Sequence, residues 1–294
     1  MFKTSICSYP NRGHYGQSAY RGNCTGHIVR DFIESYMSRP EGLVVDPSVG
    51  GGTSEDVARE LGVRFVGTDL HQGFNILRDD LATLLGEQAH LVWWHPPYWD
   101  MIKYSGKEWG EPNKWDMSRL DLPSFVEALE LALLNIHDAC EARGHYGILM
   151  GNMRRSGDYY NLSSLVERVA PGKLVDEIIK IQHNCQSDNR SYAPGLIRIG
   201  HEKLLVFRKD ATAAAIFILG LMQRRAANMM RTTWRAAIRR ILQGKQLPLD
   251  SIYQAVEPYA AQRANNHWQA KVRQVLQDER YFHRVQVGVY ELAA

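Results

Sequence analysis

Short apolar runs alternate with segments of helical periodicity along the first two thirds of the chain. An apolar run of roughly four to eight residues between polar or glycine residues is typical of a buried strand. Such runs predict strands at 42–46, 63–68, 90–94, 146–150, 173–183 and 199–208. Apolar residues spaced three and four apart predict helices at 27–37, about 54–61 and about 123–142. The alternation predicts an α/β fold, with a doubly wound, mostly parallel sheet and helices on its faces.

Two connecting segments lack this periodicity. Residues 5–26 are rich in Gly, Ser, Tyr and Asn and predict a loop that becomes ordered on binding. Residues 99–120 carry aromatic and charged residues but few periodic apolar ones, and they predict a long loop directly after the strand at 90–94. Because loops of this length inside compact domains are usually functional, we expect this segment to serve a binding site.

The pattern changes after Lys209. The predicted elements are helices at 211–243, 250–259 and 266–277, and a hairpin of strands 281–285 and 287–292. Two helices followed by a two-stranded wing resemble a winged helix-turn-helix module, in which the helix at 266–277 would be the recognition helix. Many winged helices contact proteins instead of DNA, so both kinds of partner remain open. We predict two domains, residues 1–209 and residues 210–294.

Charge is unevenly distributed, although the net charge of the 294 residues is only +3. Residues 1–209 carry 23 Lys and Arg against 26 Asp and Glu, a net −3, and residues 210–294 carry 12 against 6, a net +6. A basic tail on a near-neutral body predicts a polyanionic partner. A solvated helix face is the alternative explanation.

The composition, 45% hydrophobic and 23% charged, is typical of a soluble protein. No apolar stretch is long enough to span a bilayer, and the first residues lack the apolar region of a signal peptide. The four cysteines form no C-x-x-C pair, which argues against a disulfide framework and against a structural zinc site. We therefore expect a cytoplasmic protein with no membrane partner.

Two polar clusters follow predicted strands. The first is Asp46-Pro47-Ser48-Val49-Gly50-Gly51-Gly52-Thr53, and the second is His95-Pro96-Pro97-Tyr98. Because the carboxyl ends of parallel strands meet at one edge of the sheet, we expect both clusters in one crevice. The glycines allow close approach of the backbone to a ligand, and the cluster lacks the Gly-Lys-Ser/Thr ending of a P-loop. A third strand ends at Asp69, where a carboxylate accepts ribose hydroxyls in other nucleotide sites.

These motifs resemble the S-adenosyl-L-methionine-dependent amino-methyltransferases of DNA, which modify adenine N6 or cytosine N4. The resemblance covers roughly residues 20–209 and implies a Rossmann-like methyltransferase sheet. It also implies that Asp46 lies near the cofactor amino group. The stretch Gly73-Phe74-Asn75-Ile76-Leu77 is expected to flank the adenine ring. Thr25 serves equally well as a helix cap. The implied cofactor-binding residues are Asn23, Thr25, Asp46, Pro47, Ser48, Gly50, Gly52, Thr53, Asp69 and Asn75.

The implied catalytic residues are His95, Pro96, Pro97 and Tyr98. The family usually carries Asp, Asn or Ser at the first position, where a side-chain acceptor and the carbonyl of the next proline draw the amine hydrogens. The aromatic residue stacks on a base flipped out of the duplex. His95 departs from this pattern, but a neutral imidazole also presents one acceptor nitrogen. We therefore expect activity to fall as the pH drops through the pKa of His95.

Residue types that contact nucleic acid occur near the predicted catalytic edge and in the C-terminal module. The expected DNA-binding residues are Trp99, Lys103, Arg154, Arg155, Arg190, Asn266, Gln269 and Arg273. Instead of binding DNA, Arg154 and Arg155 could be a solvent-exposed pair without a ligand, and Trp99 could serve only in packing.

The sequence favours a DNA methyltransferase that acts on adenine N6. N4-cytosine methylation, methylation of a glutamine side chain or RNA base, and a catalytically silent DNA-binding regulator are the alternatives. S-adenosyl-L-methionine is the expected cofactor, and no metal is expected because its sulfonium supplies the electrophile. Double-stranded DNA is the expected partner, a homodimer is possible, and association with a prokaryotic nucleoid and restriction-modification fit the resemblance.

Overall fold

The computed structural model describes residues 1–106, 110–185, 188, 191–210, 234–242, 244–261, 266–279 and 281–293. The chain divides into two compact units, Met1–Phe217 and Ile218–Ala294. The expected DNA-binding residue Arg190 and residues 211–233 of the predicted helix at 211–243 lie outside the described residues.

The strands of the first unit are β1 (Ile6–Ser8), β2 (Leu43–Asp46), β3 (Arg64–Gly67), β4 (Ala89–Trp94), β5 (Cys140–Gly151), β6 (Met153–Arg155), β7 (Asp158–Tyr160), β8 (Lys173–Ile181) and β9 (His201–Arg208). Its helices are α1 (Gly26–Tyr36), α2 (Thr53–Leu61), α3 (Leu81–Leu85), α4 (Leu122–Ala139) and α5 (Leu162–Val169), with short 3-10 turns at Leu70–Gln72 and Met117–Arg119.

Seven strands form one sheet in the order β1-β8-β9-β5-β4-β2-β3. Neighbouring strands are parallel except at β9, which runs antiparallel to both β5 and β8. The sheet is therefore mostly parallel, as the sequence predicts. The carboxyl ends of β2, β3, β4, β5 and β8 and the amino end of β9 share one edge, which we call the upper edge.

Helices cover both faces of the sheet. Trp94 belongs to the apolar cluster that includes Phe125 and Leu129 of α4, whereas Trp93 belongs to the cluster that includes Phe32 of α1 and Val57 of α2. All six residues of β4 are buried, as expected for a central strand covered on both faces. This arrangement confirms the doubly wound α/β architecture.

Several boundaries differ from the predicted ones. Helix α4 ends at Ala139, and β5 begins at Cys140, because Cys140 takes an extended conformation and its N–H caps the carbonyl of Ile136. The hairpin of β6 and β7 was not predicted; Ser156 and Gly157 form its turn, both with positive φ. Strand β1, within the predicted binding loop, is a three-residue edge strand paired with β8.

The described residues of the second unit form a three-stranded antiparallel sheet and three helices. Its elements are α6 (Trp234–Leu242), β10 (Leu247–Pro248), α7 (Leu249–Ala261), α8 (Trp268–Leu276), β11 (Phe282–Gln286) and β12 (Val289–Leu292). Ile238, Ile252, Val272 and Phe282 pack in its own apolar cluster. The predicted helices at 250–259 and 266–277 and the hairpin are present, and β10 joins the hairpin as a third strand.

Within the described ranges, no helix is long and apolar enough to cross a membrane.

Candidate active site

The glycine-rich loop connects β2 to α2 at the upper edge. Gly50 and Gly52 have φ values of +50° and +81°, which disfavour any residue with a Cβ. Gly52 takes this left-handed conformation directly before the first turn of α2. A Cβ on Gly51 would lie 2.7 Å from Oδ1 of Asn23, so the loop packs tightly against the N-terminal segment. The sequence thus requires glycine at these positions for conformational and steric reasons.

Asp46 ends β2 with its carboxyl group buried beneath this loop. The Ser54 hydroxyl donates to Oδ2 at 2.5 Å, and the Ser48 N–H donates to Oδ1 at 2.9 Å. Burial raises the pKa of Asp46 to about 7, and the charge of Asp69 adds to this rise against the lowering effect of the two hydrogen bonds. A buried carboxylate held in this way is suited to bind a cationic group.

Asp69 follows β3 and reaches the same loop. Its Oδ2 accepts the Gly50 N–H at 3.0 Å, and its Oδ1 accepts the His71 N–H at 2.9 Å. A carboxylate oxygen accepts more than one hydrogen bond, so both oxygens keep capacity for a ligand. Asp69 therefore links two backbone segments and faces the pocket that they border.

A pocket of about 890 Å³ lies between these elements, and we call it the upper pocket. Eight predicted cofactor residues line it: Asn23, Asp46, Pro47, Ser48, Gly50, Thr53, Asp69 and Asn75. The predicted residues Gly52 and Thr25 do not; Thr25 instead caps α1, and its hydroxyl donates to the Arg12 carbonyl at 2.9 Å. Two buried polar atoms of the lining, Oγ1 of Thr53 and Nδ2 of Asn75, have no hydrogen-bond partner among the described residues.

Aromatic and sulfur-containing side chains complete the upper pocket, and sequence reasoning missed all of them except Phe74, which lies in the stretch predicted to flank an adenine ring. They are Tyr20, Phe74, Tyr104, Trp115 and Met117. The rings of Tyr20 and Tyr104 stack with centroids 6.2 Å apart. The clustering of Tyr20, Tyr104, Trp115 and Met117 within the two predicted loops was a usable signal, because flat apolar side chains suit a planar ring.

The His-Pro-Pro-Tyr motif follows β4 at the same edge. Nε2 of His95 lies 2.9 Å from the Tyr98 hydroxyl, which donates to Oε1 of Glu202 at 2.8 Å. Lys180 donates to the other oxygen of Glu202 at 2.6 Å. Pro96 is buried and Pro97 lines the upper pocket. The motif is therefore joined to a buried chain of polar side chains that ends on β8 and β9.

Glu202 and Lys180 were not predicted. Burial alone would raise the pKa of Glu202, but the Lys180 ammonium, helped by His95 and Tyr98, holds the pKa below its ordinary value. The two residues are direct neighbours in the antiparallel register of β8 and β9. That pairing is tertiary information, and the other charged residues of the two strands, among them Glu177 and Lys203, gave no local signal that singled out Lys180 and Glu202.

Burial lowers the pKa of His95 to about 4, and Lys180 lowers it further while Glu202 opposes the shift. The imidazole is therefore neutral at physiological pH. The expected loss of activity through the pKa of His95 is thereby moved to about pH 4, well below the range in which histidine ordinarily titrates.

A larger cleft of about 2510 Å³ lies beside the upper pocket, and we call it the basic cleft. Among the described residues, five basic side chains line it (Arg12, Arg21, Arg154, Arg155 and Lys180), against one acidic side chain, Glu202. His95 lines both the basic cleft and the upper pocket, as do Gly22, Asn23 and Cys24. His95 thus stands where the two spaces meet.

The predicted DNA-binding residues of the first unit have different surroundings. Arg154 lies over the Tyr159 ring, and Arg155 pairs with Asp100 at 2.7 Å and lies over the Trp99 ring. Both arginines line the basic cleft. Trp99 packs against the apolar core and donates to the Leu120 carbonyl, and Lys103 donates to the Ser118 carbonyl at 2.5 Å. Trp99 and Lys103 therefore hold the loop that follows Tyr98.

In the second unit, Asn266, Gln269 and Arg273 are exposed. Gln269 and Arg273 lie on α8, and Asn266 lies directly before it. The structure therefore leaves all three side chains available to a partner.

Across the described ranges, no cluster of three or more His, Cys, Asp or Glu residues is arranged to hold a metal ion. Cys7, Cys24, Cys140 and Cys185 are free cysteines.

No protein-family model and no curated protein matches this sequence. Among solved structures, TrmN from Thermus thermophilus is similar at 13% identity and a TM-score of 0.35, over 64% of this chain and 50% of that protein. TTHA0409, also from Thermus thermophilus and provisionally named a DNA modification methylase, is similar at 18% identity and a TM-score of 0.32, over 58% and 53%. A TehB-like SAM-dependent methyltransferase from Corynebacterium glutamicum is similar at 15% identity and a TM-score of 0.31, over 62% and 88%.

This chain spans about half the length of the first two of these proteins. Similarity at this level of identity and TM-score supports no conclusion about the function of this chain.

Proposed function

We propose that this protein is an S-adenosyl-L-methionine-dependent methyltransferase that modifies an exocyclic amine of a DNA base. The observation that carries the proposal is the position of His95, at the junction of the upper pocket and the basic cleft. A methyl donor bound in the upper pocket and a methyl-accepting amine bound in the basic cleft would meet at His95. Of the residues that follow, Pro97 lines the upper pocket and Tyr98 lines the basic cleft.

The side chains of the upper pocket fit the cofactor. The buried Asp46 carboxylate suits its ammonium group, Asp69 suits the ribose hydroxyls, and the stacked aromatic rings suit adenine. The unpartnered Nδ2 of Asn75 and Oγ1 of Thr53 offer hydrogen bonds that a ligand would complete. When bound, S-adenosyl-L-methionine supplies an electrophilic methyl group on its sulfonium.

The basic cleft supports an anionic substrate, because five basic side chains face one acidic side chain there. The acceptor nitrogen of neutral His95 would draw a hydrogen of the substrate amine and so direct its lone pair to the methyl group. The same geometry suits adenine N6 and cytosine N4. We place adenine first and cytosine second.

For the second unit we propose a winged-helix DNA-binding domain, with the boundary close to residue 209. The order helix, strand, helix, helix, strand, strand supports it, as do the polar exposed side chains of α8. In this role α8 reads base edges through Gln269 and Arg273.

Two substitutions of His95 test the proposal. His95→Ala removes the acceptor and should lower turnover by about a hundredfold or more, while calorimetry shows unchanged cofactor affinity. His95→Asn supplies an amide oxygen instead and should retain much more activity than the alanine variant. Full methyl transfer by His95→Ala would overturn the role given to this residue.

A further inference from the structure

A chain of hydrogen bonds beside His95 holds the side chains in place and also determines which groups donate and which accept. It runs from His95 through the Tyr98 hydroxyl to Glu202, and from Glu202 to Lys180. The side chains of Lys180 and Glu202 are only 11% and 9% exposed, so water does not compete strongly for these hydrogen bonds. Each link therefore constrains the next one.

The direction of the chain follows from its donors and acceptors. An ionised carboxylate only accepts hydrogen bonds, so Tyr98 must donate its single hydroxyl hydrogen to Glu202. The remaining contact of the Tyr98 oxygen, to Nε2 of His95 at 2.9 Å, then requires that Nε2–H is the donor. A neutral imidazole carries one proton, so Nδ1 holds the free lone pair.

Nδ1 of His95 forms no hydrogen bond in the described part of the chain, and it is not one of the buried atoms left unpaired. It is thus the acceptor that His95 has to offer where the upper pocket and the basic cleft meet. With the proton on Nδ1 instead, His95 would present a hydrogen to the incoming amine.

We propose that Tyr98 and Glu202 are positioning residues that keep the proton of His95 on Nε2, so that Nδ1 is the acceptor for the substrate amine. This inference rests on the proposed function. It gives Tyr98 a task that stacking on a base does not require, and it gives the buried Lys180–Glu202 pair a task beyond stability: Lys180 keeps Glu202 an acceptor. It also explains how His95 can take the place of the Asp, Asn or Ser that is usual in the family, because each of those side chains presents an oxygen acceptor.

Nitrogen-15 spectra of histidine-labelled full-length protein test the placement of the proton without any need for catalysis. The His95 signals are assigned by their loss in His95→Asn. We expect the Nε2–H form in the unaltered chain. In Glu202→Gln, Lys180 holds the amide oxygen, the NH2 group points at Tyr98, and the Tyr98 hydrogen turns to Nε2, so we expect the Nδ1–H form. A predominant Nδ1–H form in the unaltered chain, or an unchanged spectrum in Glu202→Gln, would overturn the proposal.

Measurements of turnover test whether the placement of the His95 proton matters for catalysis. Glu202→Gln should lower kcat by about ten- to a hundredfold, with cofactor affinity and KM within about twofold. In the His95→Asn background, which has no imidazole proton, the same substitution should change kcat by less than about twofold. Equal losses in the two backgrounds would show that Glu202 acts only through stability.

Matched controls lie close by. Glu177 pairs with Lys203 at 3.1 Å across the same two strands but in an exposed position, so Glu177→Gln should leave kcat unchanged. Tyr146→Phe removes a tyrosine hydroxyl that is buried in the core outside the site and should do the same. Absence of methyl transfer by the unaltered chain would overturn the proposed function, whereas the nitrogen-15 spectra still decide the proton placement.

Discussion

At the scale of single residues, the site is built around buried ionisable groups that the fold holds at a cost. Asp46 is the clearest case, because its pKa is raised from its ordinary value of 3.8 to about 7 by burial. Between these two values the folded chain binds a proton that the unfolded chain releases, so stability falls as the pH rises through this window. Above about pH 7 the destabilisation is complete. A ligand cation beside Asp46 would remove it.

Asp46→Asn should therefore stabilise the ligand-free protein at pH 8. Three pH units correspond to about 4 kcal/mol, which is the upper limit of the gain. The same substitution should abolish the rise in Tm that S-adenosyl-L-methionine causes in the unaltered chain. Thermal unfolding with and without the cofactor measures both effects, and a destabilised Asp46→Asn protein that still responds to the cofactor would contradict them.

Cofactor affinity should also depend on pH through Asp46. Below about pH 7 the ligand-free carboxyl group is protonated and has no charge to pair with an ammonium group. Calorimetry should show affinity falling by up to about tenfold for each pH unit from 7 to 5. The affinity of Asp46→Asn should be weak and flat over this range, and a flat profile in the unaltered chain would exclude Asp46 as the ammonium partner.

At the scale of elements, whether a strand could be predicted from the sequence depends on how fully it is buried. β2 and β4 were predicted because a strand covered on both faces is apolar throughout, and their polar ends therefore marked the site. β1 was missed because a three-residue edge strand carries little pattern. The link from Tyr98 to Glu202 joins residues 104 positions apart, through a register that no local pattern contains.

Gly151, the last residue of β5, has no side chain and so leaves room for the Tyr98 ring. A Cβ on Gly151 would lie 2.5 Å from Cε2 of Tyr98, too close for the ring to stay in place. Gly151→Ala should therefore displace Tyr98 and lower kcat by about tenfold or more, with little change in cofactor affinity. Gly200→Ala is the matched control, because a Cβ there would have its nearest neighbour, the Arg198 side chain, at 3.5 Å. Equal activity of the two variants would contradict this support.

At the scale of the whole molecule, the candidate site and the excess of positive net charge belong to different parts of the chain. The candidate site lies in the first unit, whereas residues 210–294 carry a net charge of +6. The sequence predicts two domains, residues 1–209 and residues 210–294, from composition and periodicity, and this boundary stays a prediction. It left open which side chains of the helix at 266–277 are exposed, because that depends on how α8 packs against its own core.

Gln269→Ala combined with Arg273→Ala should weaken DNA binding and leave cofactor binding unchanged, because both side chains are exposed. We expect a loss of about 1–3 kcal/mol for each base contact removed, together with a shallower dependence on salt where a phosphate contact is lost. Fluorescence anisotropy at several salt concentrations measures both. Gln254→Ala, an exposed position on α7, serves as the control. Unchanged DNA affinity in the double variant would point to a protein partner for this unit.

The central claim is methyl transfer at the junction that His95 occupies. It is tested most directly by incubating the full chain with labelled S-adenosyl-L-methionine and unmethylated DNA, followed by mass spectrometry of the nucleosides. We expect N6-methyladenine, with His95→Ala as a near-silent control, and an N4-methylcytosine product would keep the mechanism but change the base. Cofactor binding without a methylated base in any DNA tested would contradict the account.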